Sequence, residues 1–559
     1  MTKKRLLSRS RFLEKEEGTV IKDWGGKIPI CLVFPNYYHT GMSNLGFQLL
    51  YQQLNSRPDV VCERGFLPER QELQEHIRSG TSLLSLETGR PLRHFQIIAF
   101  SVPFENDYVN LLTILHLAKI PLRVQDRDPR APLIMAGGAA VTLNPEPLAS
   151  FIDLFVIGEG EELFTDLLPV FPVWRAGGRP EFLEAAAKLE GIYAPSLYQV
   201  SYDHRGFLQD FSPLDGKAPE KVQKRSIADP NRYASHSAIL TPLTEFKDMF
   251  LVEVNRGCPR GCRYCAAWTL HRPFRNRGMD VLLKAVELAL QRNKRIGLVG
   301  SALSDHPQFY ELCEYIVSKG GKISFASIRT DAITAKLANI LVLSGHQTVT
   351  IAPETGPDSL REMVDKGFTQ EDIFRSVDLL TSFGINSLKL YFIIGLPTET
   401  MEDVEEIVSL TKRIRHHMVK GRKKPGDITL SINPFIPKAW TPLQWHPFED
   451  VKSLKKKTQI IKKGLRKTPS VRVLHELPKW GYVQTLLSMG DRRVGEILQL
   501  VLQGGENWSS ALKNSYVNPD FWVYRQKTRE ELFPWDFIDH DLNKELLWEQ
   551  CREALGLRA

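Results

Sequence analysis

Cysteine is scarce in this sequence, with seven residues among 559. Seven unevenly spaced cysteines do not form the dense framework of a disulfide-stabilised secreted domain, and a reducing compartment keeps such residues as thiols or metal thiolates. Long apolar runs are also missing: no stretch is long enough to cross a bilayer, and the charged start MTKKRLLSRSRFLEKEEG lacks the apolar segment of a signal peptide. The sequence therefore predicts a cytoplasmic protein that has no membrane partner.

The net charge is +8, from 73 Lys and Arg against 65 Asp and Glu. Much of the excess lies in two basic segments, 412–424 and 451–467. In the second segment Leu454, Thr458, Ile461 and Leu465 recur at helical spacing, so its lysines fit the solvated face of a surface helix. Contact with nucleic-acid phosphates through these segments is the alternative.

The length exceeds what one core can fill, so several domains are expected. After an N-terminal extension (1–27), residues 28–200 alternate short apolar runs with amphipathic helical patterns. Such alternation predicts an α/β domain with a doubly wound parallel sheet, which binds ligands at the carboxyl edge of its strands. The polar, proline-rich stretch 201–248 is typical of a linker.

A second alternation runs from 249 to 437 and contains six candidate strands, the first of them MFLVEVN (249–255). Six βα units predict a partial parallel (β/α)6 barrel, in which functional residues follow the carboxyl ends of the strands. The remainder, 438–559, is mixed and mainly helical, and we predict a C-terminal cap region there.

Three of the seven cysteines stand together in NRGCPRGCRYCAAW (255–268), directly after the first strand of the predicted barrel: Cys258, Cys262 and Cys265. A structural zinc site needs four ligands, and no fourth Cys or His has a matching spacing. Three thiolates can hold three irons of a [4Fe-4S] cluster and leave the fourth iron open for a ligand. Gly257, Pro259 and Gly261 suit a tight loop around such a cluster. The other cysteines have apolar neighbours and are expected to be small buried hydrophobes: Cys31, Cys62, Cys313 and Cys551.

This spacing, after the first strand of a six-unit βα array, resembles the radical S-adenosylmethionine superfamily. The resemblance implies that the open iron binds the amino and carboxylate groups of S-adenosylmethionine, and that reductive cleavage yields a 5′-deoxyadenosyl radical. It also implies an electron donor such as flavodoxin or ferredoxin. A zinc loop, a ferredoxin-like fragment and a chance grouping of cysteines are the competing interpretations.

The resemblance continues along the barrel in the order of the superfamily's motifs. It assigns contacts with S-adenosylmethionine to GSALSDHP (300–307), SIRTD (327–331), APETG (352–356) and YFIIGLPTET (391–400). The implied S-adenosylmethionine-binding residues are Tyr264, Gly300, Ser301, Ser304, Ser327, Arg329, Glu354, Ile394 and Gly395. Arg or Glu at a strand end is equally often structural.

The first domain carries MAGGAAVTLNPEPLASFIDLFVIGEGEELF (135–164), which resembles the cobalamin-binding domain found ahead of many radical S-adenosylmethionine enzymes. The matching positions are Gly137, Gly138, Asn144, Gly158 and Glu159. A nicotinamide-binding fold is a poor alternative because no G-x-G-x-x-G follows a strand. The D-x-H-x-x-G motif, which supplies a histidine to cobalt in other cobalamin proteins, is absent, so binding and non-binding of cobalamin both stay open.

The sequence thus predicts a radical S-adenosylmethionine enzyme on an unknown substrate, with a cobalamin-dependent methyltransferase as the favoured reaction. A cobalamin-independent radical enzyme acting on RNA or a small molecule is the alternative. A non-catalytic iron-sulfur protein that transfers electrons or binds RNA is the rival from another class, although an electron carrier has no need of an open iron.

Overall fold

The computed structural model describes residues 10–292, 295–420 and 426–557. The chain divides into two compact units. Unit 1 comprises Met1–Met249, Leu486–Pro519 and Glu530–Asp541, and unit 2 comprises Phe250–Thr485, Asp520–Arg529 and Leu542–Ala559. None of the described helices is long and apolar enough to span a membrane.

The strands, in chain order, are β1 (Ile28–Phe34), β2 (Val60–Phe66), β3 (Ile97–Ser101), β4 (Leu133–Gly137), β5 (Leu154–Val156), β6 (Ile192–Tyr193), β7 (Tyr198–Tyr202), β8 (Leu208–Pro213), β9 (Val222–Gln223), β10 (Phe250–Glu253), β11 (Asn255–Arg256), β12 (Arg275–Asn276), β13 (Ile296–Val299), β14 (Ile323–Ser324), β15 (Thr348–Glu354), β16 (Ser387–Ile394), β17 (Ile428–Pro434), β18 (Val471–His475) and β19 (Ile538–Asp539).

The α-helices are α1 (Tyr38–Gly41), α2 (Leu45–Ser56), α3 (Arg70–Ser79), α4 (Tyr108–Leu117), α5 (Ala139–Leu143), α6 (Leu163–Leu167), α7 (Phe171–Gly177), α8 (Arg179–Ala186), α9 (Ala267–Leu270), α10 (Met279–Gln291), α11 (Phe309–Ser318), α12 (Ala335–Leu343), α13 (Asp358–Met363), α14 (Gln370–Ser382), α15 (Met401–Val419), α16 (Val451–Leu465), α17 (Pro478–Met489), α18 (Val494–Gln503), α19 (Trp508–Asn514), α20 (Asp520–Val523) and α21 (Lys544–Ala554).

The core of unit 1 is a sheet of order β2-β1-β3-β4-β5-β6, parallel except for β6, which runs antiparallel to β5. The doubly wound sheet predicted from the alternating pattern is confirmed. Strand β2 escaped the sequence analysis because its apolar run is broken by Glu63 and Arg64, yet both are buried, at 1% and 0% exposure. Charged residues are seldom buried unless paired, so the pattern alone did not indicate a strand of this sheet.

Residues outside the first 200 complete unit 1. The stretch predicted as a linker, 201–248, contains β8 of the antiparallel β7-β8 hairpin and also β9, which pairs in parallel with β19 from the end of the chain. Helix α18 packs on α4. The predicted cap region is therefore distributed between the two units rather than gathered in one body.

Unit 2 contains two parallel sheets, of orders β10-β13-β14 and β15-β16-β17-β18, with helices between successive strands. This is the predicted partial barrel, with β18 as a further parallel strand beyond the six predicted. Along β16 and β17 buried residues alternate strictly with half-buried ones. The shape of each sheet directs the loops after its strands to one edge, where the cysteine loop lies.

The second basic segment forms α16, and its apolar stripe is buried as the helical spacing predicts. Lys457 is the exception, because it is buried on the same face. Of the first basic segment, 412–419 belong to α15 and 421–424 lie outside the described residues. The prediction that Cys31, Cys62, Cys313 and Cys551 are buried is confirmed.

Candidate active site

The cysteine loop follows β10 and β11 and turns tightly on two glycines. Gly257 has φ 85°, and a Cβ there would lie 2.4 Å from the carbonyl oxygen of His271, so only glycine fits. The backbone N–H of Cys265 donates to the carbonyl of Cys262 at 3.0 Å. Cys262 is buried and the other two cysteines are half-buried, and all three are free thiols.

Two hydrogen bonds, one from the backbone and one from the side chain of Arg263, attach this loop to the segment after β15. The N–H of Arg263 donates to the carbonyl of Val364 at 3.1 Å, and its guanidinium donates to the carbonyl of Met363 at 2.9 Å. An ion pair between Arg260 and Asp305 ties the loop to the turn after β13. The loop is thereby held between the ends of two strands.

The turn after β13 contains three of the predicted residues. The Gly300 backbone packs so closely on Asn255 that a Cβ would lie 2.2 Å from the Oδ1 atom of that side chain. Asn255 is buried and donates to the carbonyl of Ala302 at 2.6 Å. Ser301 is exposed and Ser304 is half-buried, while Ser327, after β14, is also exposed.

A buried charged cluster stands beside the cysteine loop at the end of β15. Glu354 is 6% exposed, has the unusual φ of 65°, and pairs with the Lys366 ammonium at 2.6 Å. Arg329 donates to the carbonyl of Lys366 at 3.0 Å and to Asp331 at 2.9 Å. The structure thus brings together the predicted Arg329 and Glu354, and adds Lys366.

The sequence analysis did not find Lys366. It lies in the turn VDKG between α13 and α14, which resembles any surface turn in sequence. In the structure Lys366 lies between two residues with left-handed backbone, Asp365 with φ 53° and Gly367 with φ 75°. Such backbone conformations mark positions that the surrounding structure must hold in place.

The charges in this cluster act on the thiols. Burial raises the pKa of Cys262, and the nearby Lys366 and Arg329 oppose that rise. Burial also raises the pKa of Cys265 to about 11. Burial disfavours the charged form of Lys366, but Glu354 and Cys262 outweigh it and raise the pKa of this ammonium. Two fixed positive charges therefore face the position where thiolate charge would develop.

Tyr264 connects the cysteine loop to the end of β16. Burial and the adjacent Glu354 carboxylate raise the pKa of its phenol well above the ordinary value. Its ring packs on a hydrophobic cluster formed by Leu360, Met363, Val364, Leu396, Phe435, Leu443 and Ala554. Because Leu396 directly follows Gly395, the predicted fifth-strand motif reaches the same cluster as Tyr264.

A largely buried group of three charged side chains, Glu399, Lys457 and Glu449, holds the turn at Gly395 in place. Ile394 is buried, and the Gly395 N–H donates to Glu399 at 2.6 Å. Lys457 from α16 bridges Glu399 at 2.8 Å and Glu449 at 2.7 Å. Burial raises the pKa of Glu399 to about 7, against the opposing charge of Lys457.

Within the part of the chain that the structure describes, no three or more His, Cys, Asp or Glu side chains are arranged as a ready metal site. The donor set nevertheless fits an iron-sulfur cluster, since three free thiols on one tight loop are the soft ligands that iron-sulfur clusters take. Such a cluster, when bound, supplies the electron for the reductive cleavage of S-adenosylmethionine that the resemblance implies. The chain itself contributes the thiols, the positive charge of Arg329 and Lys366, and the packed ring of Tyr264.

The positions matched to a corrin-binding domain all lie in unit 1, and the glycines among them pack closely against neighbouring parts of the chain. Gly138 has φ 116° and lies against Val102, and a Cβ on Gly158 would be 2.2 Å from the Arg225 carbonyl oxygen. Gly137 ends β4 against Val156.

The two polar matched side chains are likewise engaged. Asn144 donates to the carbonyls of Ser488 and Gly490 at 3.0 and 2.8 Å, and Glu159 accepts from the N–H of Ile227 at 2.7 Å. These side chains therefore do not fit as free ligands of a cofactor in this structure.

A buried ion pair in unit 1 was also absent from the sequence analysis. Glu146, with its side chain 1% exposed, pairs with Arg492 at 2.8 Å and accepts from the Tyr193 hydroxyl at 2.5 Å. The two charges are 346 positions apart in the chain, so no local pattern could indicate the pair.

Two family models match the chain. The model described as "Radical SAM proteins, N-terminal" matches residues 46–195, and the model described as "Radical SAM superfamily" matches 252–411. The two matched ranges together span more than half of the chain. The first lies in unit 1 and the second contains the cysteine loop and the strands β13 to β16.

The chain is also similar to several known proteins. An uncharacterized protein of Methanocaldococcus jannaschii is 29% identical over 84% of this chain and 90% of its own length. An uncharacterized methyltransferase of Pyrococcus horikoshii is 26% identical over 50% of this chain and 58% of its own length. Among solved structures, the radical S-adenosylmethionine methyltransferase TsrM of Kitasatospora setae, with cobalamin and a [4Fe-4S] cluster bound, covers 73% of this chain and 75% of its own at 15% identity and a TM-score of 0.47.

The range matched by the superfamily model includes the cysteine loop with Cys258, Cys262 and Cys265. The cofactors of this superfamily are a [4Fe-4S] cluster and S-adenosylmethionine. The chain belongs to the radical S-adenosylmethionine superfamily and is a radical S-adenosylmethionine enzyme.

Proposed function

We propose that Cys258, Cys262 and Cys265 hold a [4Fe-4S] cluster with one open iron, and that the protein cleaves S-adenosylmethionine there by reduction. The observation that carries this proposal is the attachment of the cysteine loop, through Arg263, to Met363 and Val364, which lie next to the buried pair of Glu354 and Lys366. An electron donor such as flavodoxin or ferredoxin supplies the electron. The seven free thiols support a cytoplasmic location, because a reducing compartment preserves them.

The residues around the loop support distinct roles in binding S-adenosylmethionine. The cation at Arg329 suits the methionyl carboxylate, and Glu354 suits an amino or hydroxyl group, because opposite charges and hydrogen-bond partners stabilise one another in a buried site. Gly300, Ser301 and Ser304 bring backbone groups and hydroxyls to the edge next to the loop. Ser327 adds a further exposed hydroxyl. Ile394 and Gly395 offer an apolar turn for the adenine ring, held by Glu399.

Methyl transfer is the reaction that we propose for the radical chemistry. It is supported by the similarity of half of this chain to an uncharacterized methyltransferase. A radical reaction without cobalamin, on RNA or a small molecule, is the second candidate, and the engaged state of Asn144 and Glu159 favours it. A measurement of cobalt separates the two.

The cluster assignment is tested by Cys262→Ala, with Cys313→Ala as the control. Cys313 is fully buried in α11 and remote in sequence from the loop, so its replacement leaves the cluster ligands intact. We expect the control to retain iron, the reduced-cluster electron paramagnetic resonance signal and 5′-deoxyadenosine formation, and the Cys262 variant to lose all three. Equal iron content in both anaerobically purified variants would overturn the assignment.

The cobalamin question has its own structural setting. In a sheet of order β2-β1-β3-β4-β5 the ligand crevice lies at the carboxyl ends of β1 and β3, where the strand order reverses. There Asn36 donates to Asp107 at 2.8 Å, and the Oδ1 atom of Asn106 is buried and finds no partner among the described residues. This orphaned acceptor supports a ligand at the β1/β3 crevice rather than at Asn144.

The test is to purify the protein anaerobically from cobalamin-supplied cells, with and without Asn106→Leu. We expect stoichiometric cobalamin in the parent protein and a reduced content in the variant, with equal iron in both. Absence of cobalamin from the parent protein would reject the cobalamin-dependent reaction and leave the cobalamin-independent one, while the iron content reports separately on the cluster.

A further inference from the structure

An open cavity of about 500 Å³ lies in unit 1 at the amino ends of β3 and β4. Its walls come from the turn before β3, the end of α4 and the loop 128–132 before β4. Its volume is within the range of small-molecule sites. The residues matched to a corrin site lie at and after the carboxyl ends of β4 and β5, so the cavity lies at the opposite edge of the sheet from them.

Three exposed cations surround this cavity: Arg93, Lys119 and Arg130. We call it the basic cavity. Among the described residues none of the three forms an ion pair with a carboxylate. The one acid in the lining, Asp128, accepts a hydrogen bond from the backbone N–H of Arg130 at 2.6 Å, which orients the loop and leaves the guanidinium unused.

The backbone at Lys119 is in the left-handed region, with φ 61°. It follows the end of α4, and the next N–H, of Ile120, reaches back to the Leu115 carbonyl at 3.1 Å. Glycine is the usual residue at such a helix end, because a side chain there strains the backbone. Strained backbone positions concentrate at functional sites, and here the strained residue is a lysine that lines the cavity.

A second layer of positive charge lies behind the loop. Arg127 and Arg179 both pair with the buried Asp153, each at 2.9 Å, so two guanidinium groups share one carboxylate. Arg179 also donates to the carbonyl of Ala131 in the cavity wall at 2.5 Å, and its buried Nε has no partner among the described residues. Asp126 is close to Arg127. With Asp126 and Asp128 counted beside Asp153, the three exposed cations and two arginines of this region still outnumber the acids by two.

We propose that the basic cavity binds phosphate groups, with Arg93, Lys119 and Arg130 as the contacting cations. Guanidinium and ammonium groups are the standard phosphate donors, and a concave cationic surface concentrates polyanions. Three cations around one opening suit several neighbouring phosphates better than one. Those phosphates come either from a nucleic-acid strand or from a small polyphosphate, and the two sources are separated by experiment.

The test compares two triple variants of the full chain with the same change in charge. The cavity variant carries Arg93→Gln, Lys119→Gln and Arg130→Gln. The control carries Arg70→Gln, Arg78→Gln and Lys188→Gln, at exposed positions of the same unit outside the cavity. Binding of a labelled single-stranded oligouridylate is followed by fluorescence anisotropy over a salt series, and binding of tripolyphosphate by calorimetry.

For the oligouridylate we expect the slope of log affinity against log salt to fall by about 2 in the cavity variant, since each phosphate contact on a single strand contributes about 0.7. The control should keep the parent slope. Loss of tripolyphosphate binding alone would identify the small ligand as the source and also support the site. Equal effects of the two variants on both probes, or no binding of either probe by the parent protein, would overturn the proposal.

A single substitution separates binding from folding. Lys119→Gly relieves the left-handed strain, so its thermal midpoint should equal or exceed that of the parent protein. Its phosphate affinity should nevertheless fall several-fold. Unchanged affinity in this variant would show that Lys119 serves only to end the helix, and the three-cation site would be refuted.

Discussion

Replacing Lys457 with Met should destabilise unit 2 more than any surface lysine replacement in α16. The ammonium lies 2.8 Å from Glu399 and 2.7 Å from Glu449, and the Lys457 and Glu399 side chains are 3% and 1% exposed. Removing one partner of a buried ion pair leaves an uncompensated charge and costs about 3–5 kcal/mol. Methionine fills a similar volume, so most of this cost is electrostatic rather than a cavity effect.

Urea unfolding at about pH 8, where Glu399 is ionised, measures the loss. Adding Glu399→Gln to Lys457→Met removes the stranded carboxylate, so the double variant should recover at least half of the lost free energy. Lys456 is one of the exposed lysines of the same helix, and Lys456→Met should change stability by less than about 0.5 kcal/mol. A double variant no more stable than Lys457→Met alone would refute the electrostatic reasoning, because the damage would then come from packing.

Three further predictions concern the same balance of charge and space. Burial raises the pKa of Glu399 from 4.5 to about 7, so between these pH values the folded protein keeps a proton that the unfolded chain has lost. The free energy of unfolding should therefore fall by about 3 kcal/mol in total as pH rises through that window. In thermal melts, Glu399→Gln should remove that part of the pH dependence. Gly158→Ala should cost about 2–4 kcal/mol in urea, because its Cβ would lie 2.2 Å from the Arg225 carbonyl oxygen at φ 105°, whereas Gly160→Ala, with open space around it, should be near neutral; equal losses would contradict the steric argument. Arg492→Met should cost about 3 kcal/mol by stranding Glu146, while breaking the exposed pair of Arg205 and Asp203 by Arg205→Gln should change stability by less than about 0.5 kcal/mol, as chemical denaturation can check.

The cysteine loop was predictable because its information is local. Cys258, Cys262 and Cys265 lie within one turn of chain, and the glycine at 257 is required by a backbone conformation that sequence alone suggests. The resemblance to the superfamily's motifs then implied Arg329 and Glu354, and the fold brings these two residues to one charged cluster. Parallel strands supply that agreement, since their carboxyl ends share an edge.

The residues that sequence reasoning missed depend on long-range packing. Lys366 reaches Glu354 only because α13 and the following turn fold back on the cysteine loop. Lys457 looks like one more lysine of a basic helix, yet its side chain points inward. Asn144 and Glu159 resembled cofactor contacts, and the motif could not reveal that residues 488–490 and 227 occupy them. Local periodicity predicts which elements form, and it carries no information about which distant segment covers them.

The late segments of the sequence that belong to unit 1 affect the order in which the protein can fold. Unit 1 needs residues 486–519 and 530–541, so the partners of Asn144 and Glu146 are synthesised more than 300 positions after them. On the ribosome, where N-terminal domains usually fold first, the six-stranded sheet therefore waits with these polar groups uncovered until residues 488–492 have been synthesised. A nascent chain stalled at residue 485 would contain the longest segment of unit 2 but would lack two of the three segments of unit 1. No contiguous fragment of the gene would therefore encode unit 1 by itself.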